Sequence, residues 1–269
     1  MGDRDRIWSF QRPEYWNDRY QKRLVEEDFI EERKFDWLCS FEAVRTLIDP
    51  HLRGARTALD IGCGNADFAA AVSTAYPQLS ITGVDYSPVL FDLAGTSLGP
   101  HGRTAWLVMD ACRMAFRDGA FDVVLDKGCL DALCAGYDQL AVLRGWGRDI
   151  TPAEEAQEAV AVAAVARLLS EVERCLAPGG RYVVISYEGP PGRERFWADA
   201  LRGGSRLRLV ASAVEEESHN YLYVFTKGEE EAGGGAGAGG GAAGGAGGGE
   251  ADSEEARAPG QGSGRDVHG

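Results

Sequence analysis

The chain contains no apolar run of about 18 residues, so nothing in it reads as a membrane-spanning helix. It contains no C-x-x-C pair. Its six cysteines are scattered and its four histidines form no cluster, which excludes an ordinary zinc site and points to free thiols in a reducing compartment. The opening, MGDRDRIWSF, has no apolar signal core. Asp3 and Asp5 speak against a transit peptide, and Arg6 stands where a myristoylation signal needs Ser or Thr. A cytoplasmic location is the expectation. A basic stripe is also missing. Of the net charge of −14, eight acids and two arginines from Gly228 onward supply −6, leaving −8 for residues 1–227. An acidic body argues against nucleic acid held by its phosphates.

What the chain does have is alternation. Hydrophobic residues make up 44% of its 269 residues, enough for a globular core. Residues 13–27 read as a helix, with Pro13 at a first helical position and Trp16 and Tyr20 on one face. A second helix is expected from Phe41 to Ile48, ended by Pro50. Strands then follow at 56–62, 80–87, 104–111, 120–128 and 181–188, with helices over 67–76, 88–98 and 151–176. The last helix carries a capping box, Thr151 with Glu154, and Pro152 at its first position; APGG (177–180) stops it. Residues 135–150 read as an irregular insert. Segments 206–214 and 219–227 read as a closing antiparallel pair. The pattern is α/β: a Rossmann-like doubly wound sheet of seven strands, mostly parallel with an antiparallel last strand, preceded by an N-terminal helical segment. Three parts are expected: a helical segment over 1–52, a core over 53–227, and a Gly-rich acidic tail over 228–269. That tail has too few bulky apolar groups to offset an ordering cost of about 1–2 kcal/mol per residue, so disorder is expected there.

The chemistry gathers at the strand ends. "LDIGCGN" (59–65) ends the first strand with Gly62 and Gly64, where a sharp turn lets a ligand approach the backbone. The third position of a dinucleotide fingerprint is Asp67, whose charge would repel a diphosphate, and no G-K-[ST] follows. Asp60, Asp85, Asp110 and Asp126 sit at or near the ends of four successive strands, the edge where open α/β sheets bind ligands. That edge suits a cationic ammonium or sulfonium, a ribose diol and an adenine, which together describe S-adenosylmethionine. Asp60 either binds the ammonium or pins the loop. Trp16 and Tyr20 alone would serve a core as well as a lid, and Lys127 alone would read as a solvated strand end.

"EYWNDRY" (14–20), "FDWL" (35–38), "LDIGCGN" (59–65), "VDYSPV" (84–89), "MDA" (109–111) and "FDVVLDKGCLDAL" (121–133) together resemble the class I, seven-strand methyltransferases. The resemblance is nearest to the methyltransferase-like protein-lysine methyltransferases that act on elongation factor 1-alpha and, in a mitochondrial relative, citrate synthase. It covers residues 12–227. It implies that Trp16, Tyr20 and Trp37 close over the cofactor, Gly62 lies against its methionine part, Asp85 and Tyr86 hold ribose and flank adenine, Asp110 and Ala111 meet the adenine end, and Lys127 sits near the carboxylate. Asp126 and Asp131 are then the candidate catalytic carboxylates, orienting Lys127 or receiving a proton from a substrate amine.

The implied reaction is direct displacement at a sulfonium methyl by the amine of a lysine on a protein substrate. A lysine of ordinary pKa, about 10.4, must first shed a proton. Two other functions fit the same fold: a small-molecule methyltransferase, and a non-catalytic S-adenosylmethionine-binding scaffold acting through its acidic tail.

Overall fold

A computed structural model describes residues 8–25, 37–90, 103–201 and 204–229. The expected helix over 88–98 falls mostly outside these residues, as does the tail beyond residue 229. The N-terminal helical segment and the sheet belong to one compact unit.

Helices α1 (Pro13–Val25) and α2 (Phe41–Leu52) precede strand β1 (Thr57–Ile61). Pro50 does not end α2 as the sequence suggested; the helix continues to Leu52. A proline in the last turn removes only one intrahelical donor, and burial of Ile48 and Leu52 holds the turn in place. Helix α3 (Asp67–Ala75), strands β2 (Ser80–Asp85), β3 (Thr104–Val108) and β4 (Phe121–Lys127), helices α4 (Cys129–Gly145) and α5 (Pro152–Cys175), strand β5 (Leu176–Ser186), helix α6 (Pro190–Ala200), and strands β6 (Leu207–Val214) and β7 (Tyr221–Lys227) complete the order. The capping box of α5 is formed on both sides. β5 begins five residues before the expected 181, because Leu176 already pairs with Phe121 beyond an irregularity in β4.

Residues 135–150 are not an irregular insert, since α4 runs to Gly145. Its apolar pattern is weak because it buries Leu130, Cys134, Gly136 and Leu140 rather than one clean stripe. Gly136 allows a close approach: a methyl there would lie 2.2 Å from the Trp8 ring.

The sheet order is β3-β2-β1-β4-β5-β7-β6, and among these strands β7 alone runs opposite to the other six. Alternate residues feed two cores. Leu59, Ile61, Val124, Tyr182 and Val184 face α4 and α5, while Ala58, Val123, Leu125, Val183 and Ile185 face α2 and α3. Burial on both faces explains the continuous apolar runs. The chain reverses its direction across the sheet between β1 and β4, whose ends are in register at Ile61 and Asp126. A crevice opens above this switch point.

Candidate active site

The loop after β1 turns through two glycines in the left-handed region, Gly62 at φ 62° and Gly64 at φ 53°. A methyl at Gly62 would sit 2.7 Å from Cys129 Cβ, so this glycine is demanded by the start of α4. A methyl at Gly64 would meet the Tyr20 hydroxyl at 3.8 Å and the Gly62 carbonyl at 4.0 Å, both ordinary contacts. The Cys63 amide donates to the Val84 carbonyl at 3.0 Å, tying the loop to β2. Asp85, at the end of β2, accepts from the Gly64 amide at 3.3 Å and the Ser87 amide at 2.9 Å. Burial pushes its carboxyl up to about 6, partly opposed by the backbone donors. It is therefore ionised at neutral pH, and a carboxylate with about four lone-pair sites still has capacity for a vicinal diol.

The N-terminal segment is fastened over this loop. Ser87 Oγ donates to Asn17 Oδ1 at 2.6 Å. Trp16 donates to the Phe10 carbonyl at 2.7 Å, and its ring lies 5.9 Å from Tyr20 and 5.8 Å from Trp37. Lys127 Nζ donates to the Trp37 carbonyl at 2.8 Å and stands 5.5 Å from the Phe68 ring.

These elements enclose a cleft of about 1000 Å³ along the carboxyl ends of the parallel strands. Trp16, Tyr20 and Trp37 from the N-terminal segment line it. So do Asp60, Gly62 and Gly64 from β1 and its loop, Asp85 and Tyr86 after β2, Asp110 and Ala111 after β3, and Lys127 from β4. The structure thus brings together all eleven residues named from sequence as cofactor-binding. Among the described residues, six carboxylates and three cationic side chains line the cleft, an excess of negative charge that suits a sulfonium and an ammonium and repels a diphosphate. Strand order sets a path from Asp110 past Asp85 and Gly62 to Lys127, which fits an elongated ligand with a diol near its middle. The residues present therefore fit S-adenosylmethionine.

The sequence profile described as Methyltransferase domain matches residues 58–153. The bovine protein named EEF1A lysine methyltransferase 4 is 31% identical over 218 residues, covering 81% of this chain and 76% of that one. The chain belongs to the class I S-adenosylmethionine-dependent methyltransferases. The mouse protein of the same name is 29% identical over 225 residues, covering 83% of this chain and 78% of that one. Among solved structures, the N-methyltransferase NodS from Bradyrhizobium japonicum WM9, in complex with S-adenosyl-L-homocysteine, superposes with a TM-score of 0.51 at 16% identity. That match covers 80% of this chain and 99% of NodS and supports the fold. The cofactor of this methyltransferase is S-adenosylmethionine.

The two carboxylates expected to be catalytic are placed otherwise. Asp126 does not line the cleft. It is 1% exposed, and its oxygens accept from the amides of Cys129 and Leu130, at 2.9 and 3.1 Å, and from the Tyr182 hydroxyl at 2.7 Å. It caps α4 from inside the core, where burial pushes its carboxyl up to about 7. This corrects the catalytic expectation for Asp126: no substrate amine can reach a carboxylate enclosed by its own helix. Asp131 lines the cleft, but it neither orients Lys127 nor stands ready as a base. Its Oδ1 accepts from Ser186 Oγ at 2.6 Å and from Arg193 at 2.8 Å, and its Oδ2 from the Tyr187 amide at 2.9 Å.

Arg193 was not foreseen. Its guanidinium is fully buried and bridges Asp131, Asp138 and Ser186. The Gly189-Pro190-Pro191 run signals the helix start that carries it, but a lone arginine in a polar segment gives no sign of burial. Asp138, Tyr187 and Glu188 also line the cleft and were missed with it.

Proposed function

We propose that this methyltransferase acts on a lysine side chain of a protein substrate, and that the substrate is a translation elongation factor. The relatives named EEF1A lysine methyltransferase 4 support the substrate class. The observation that carries the reading is the acidic far end of the cleft. Beyond Lys127 it is lined by Asp131, Asp138, Tyr187 and Glu188, from α4 and the end of β5. A lysine arrives as a cation, and Asp131, Asp138 and Glu188 against the single guanidinium of Arg193 leave a net negative charge that favours a cation at that end.

When bound, S-adenosylmethionine supplies an electrophilic methyl, to which the amine bonds as the thioether leaves. The chain's own residues bind, align and exclude water. Asp85 holds the diol, and Trp16, Tyr20 and Trp37 cover the cleft. Excluding water disfavours the charged form of the amine and so offsets the preference of the carboxylates for the ammonium. A cytoplasmic site of action is part of the same proposal.

The test is labelling of a cell extract by the purified protein with methyl-tritiated S-adenosylmethionine, followed by mass spectrometry of the labelled species. Methyl-lysine in an elongation factor is the expected result. A labelled metabolite with no labelled protein would replace this reading with small-molecule methylation.

A further inference from the structure

At the acceptor end of the cleft, the Tyr187 hydroxyl donates to Asp138 Oδ2 at 2.5 Å. The same Asp138 is gripped by Arg193, with NH1 at 2.9 Å from Oδ1 and NH2 at 3.0 Å from Oδ2. Arg193 lies 5.4 Å from the Tyr187 ring centroid, and the Tyr187 amide is held by Asp131. The next residue is fixed too, since the Tyr223 hydroxyl donates to the Glu188 carbonyl at 2.8 Å. Ring, hydroxyl and backbone of Tyr187 are therefore all constrained, although the residue is 43% exposed and lines the cleft. A half-exposed tyrosine rarely needs a buried aspartate, a partly buried one and a buried arginine to hold it.

The chemistry of an amine nucleophile gives this arrangement a purpose. The amine needs its lone pair for the methyl, so a donor aimed at its nitrogen would block the reaction. A phenol that is free to rotate is such a donor. A phenol whose proton is committed to Asp138 presents only lone pairs, and these accept an N–H from the amine while its own lone pair stays available. Burial and the Asp138 charge push the Tyr187 phenol up, which keeps that proton in place.

We propose that Tyr187 is the acceptor-site residue that orients the substrate amine through its phenol oxygen, with Asp138 and Arg193 as positioning residues that fix the direction of its proton. The proposal rests on the reading of the protein as an amine methyltransferase. The ammonium proton leaves to solvent before the transfer, and the phenol proton remains on Tyr187 throughout. No other reactant is needed.

The experiment compares wild type, Tyr187→Phe and Asp138→Asn in three measurements: labelling of extract with the methyl-tritiated cofactor, calorimetric titration with S-adenosylhomocysteine, and thermal melting. Tyr187→Phe keeps the ring and loses the oxygen. It is expected to label the same acceptor roughly tenfold to a hundredfold more slowly, with cofactor-product affinity within about twofold of wild type and an unchanged melting temperature. Asp138→Asn, whose amide oxygen can still accept from the phenol, is expected between the two. Labelling by Tyr187→Phe at the wild-type rate overturns the proposal, as does a loss of S-adenosylhomocysteine affinity that matches the loss of rate. The identity of the labelled acceptor tests the lysine reading separately, because the ratio of variant to wild type is read on whichever amine is labelled. Absence of any labelled amine with wild type overturns both.

Discussion

Lys127 at the end of β4 donates from its ammonium to the main-chain oxygen of Trp37, 90 residues earlier in the chain. One hydrogen bond thus joins the floor of the cleft to the segment that covers it. Hydrogen bonds to charged groups contribute about 1.5–3 kcal/mol, and roughly 1.4 kcal/mol is a tenfold change in affinity. Lys127→Met is expected to weaken S-adenosylhomocysteine binding about tenfold or more, measured by calorimetry. Wild-type affinity in the variant would show that the cover closes without this tie.

The two loop glycines differ in what they tolerate. Gly62→Ala places a methyl 2.7 Å from Cys129 Cβ in a left-handed conformation, so α4 must shift or the loop must open. Gly64→Ala meets nothing closer than the Tyr20 hydroxyl at 3.8 Å and carries the left-handed cost of about 1–2 kcal/mol alone. Gly62→Ala should therefore lose both cofactor binding and several degrees of melting temperature. Gly64→Ala should remain folded and retain measurable binding. Thermal melts with and without S-adenosylhomocysteine separate the two.

Three buried carboxylates, Asp85, Asp126 and Asp131, are raised by burial, Asp85 to about 6 and Asp126 to about 7. A folded-state pKa above the unfolded value near 3.9 means that protonation favours the folded form. The ligand-free protein should therefore gain stability as pH falls from about 7.5 to about 5. Below about 4 the opposite group takes over: Asp122, Glu171 and Glu173 are lowered by their hydrogen bonds, and their contribution is lost as they protonate. Melting temperature against pH should peak on the acid side of neutrality. Cofactor affinity should fall over the range in which stability rises, because protonated Asp85 no longer accepts two hydroxyls. A melting temperature that falls steadily from pH 7.5 to 5 would contradict this.

Asp126 separates a structural from a catalytic carboxylate. Asp126→Asn keeps an oxygen for the amides of Cys129 and Leu130 and offers its amide group to Tyr182. Turnover within about twofold of wild type is expected once the fraction folded is accounted for. Asp126→Ala leaves those buried donors unmatched, and a loss of about 3 kcal/mol or more is expected in chemical denaturation. A large fall in turnover for folded Asp126→Asn would restore a chemical role.

The strand-helix alternation and the acids closing β1, β2 and β3 were legible because each depends on near neighbours. A short apolar run between glycines is a buried strand, and strand ends in an open sheet converge on one edge. The α4 segment was misread because a helix buried on several sides loses its amphipathic period, and Gly136 looks like a breaker until Trp8 is seen against it. Asp126 and Asp131 were recognised as residues of consequence but given the wrong partners. They stand five positions apart in sequence, while their partners Tyr182, Ser186 and Arg193 lie 55 to 62 residues further on.

By itself the sequence determined the doubly wound α/β architecture, the glycine turn and the row of acids, since these follow from local periodicity and from the chain reversal at a parallel sheet. Only the tertiary structure decided which carboxylates face the cleft and which are consumed by the core. That choice depends on hydrogen-bond partners distant in sequence: Asp126 turns inward because two amides and a buried phenol meet it there, and Tyr187 is held at the cleft because Arg193 and Asp138 converge behind it.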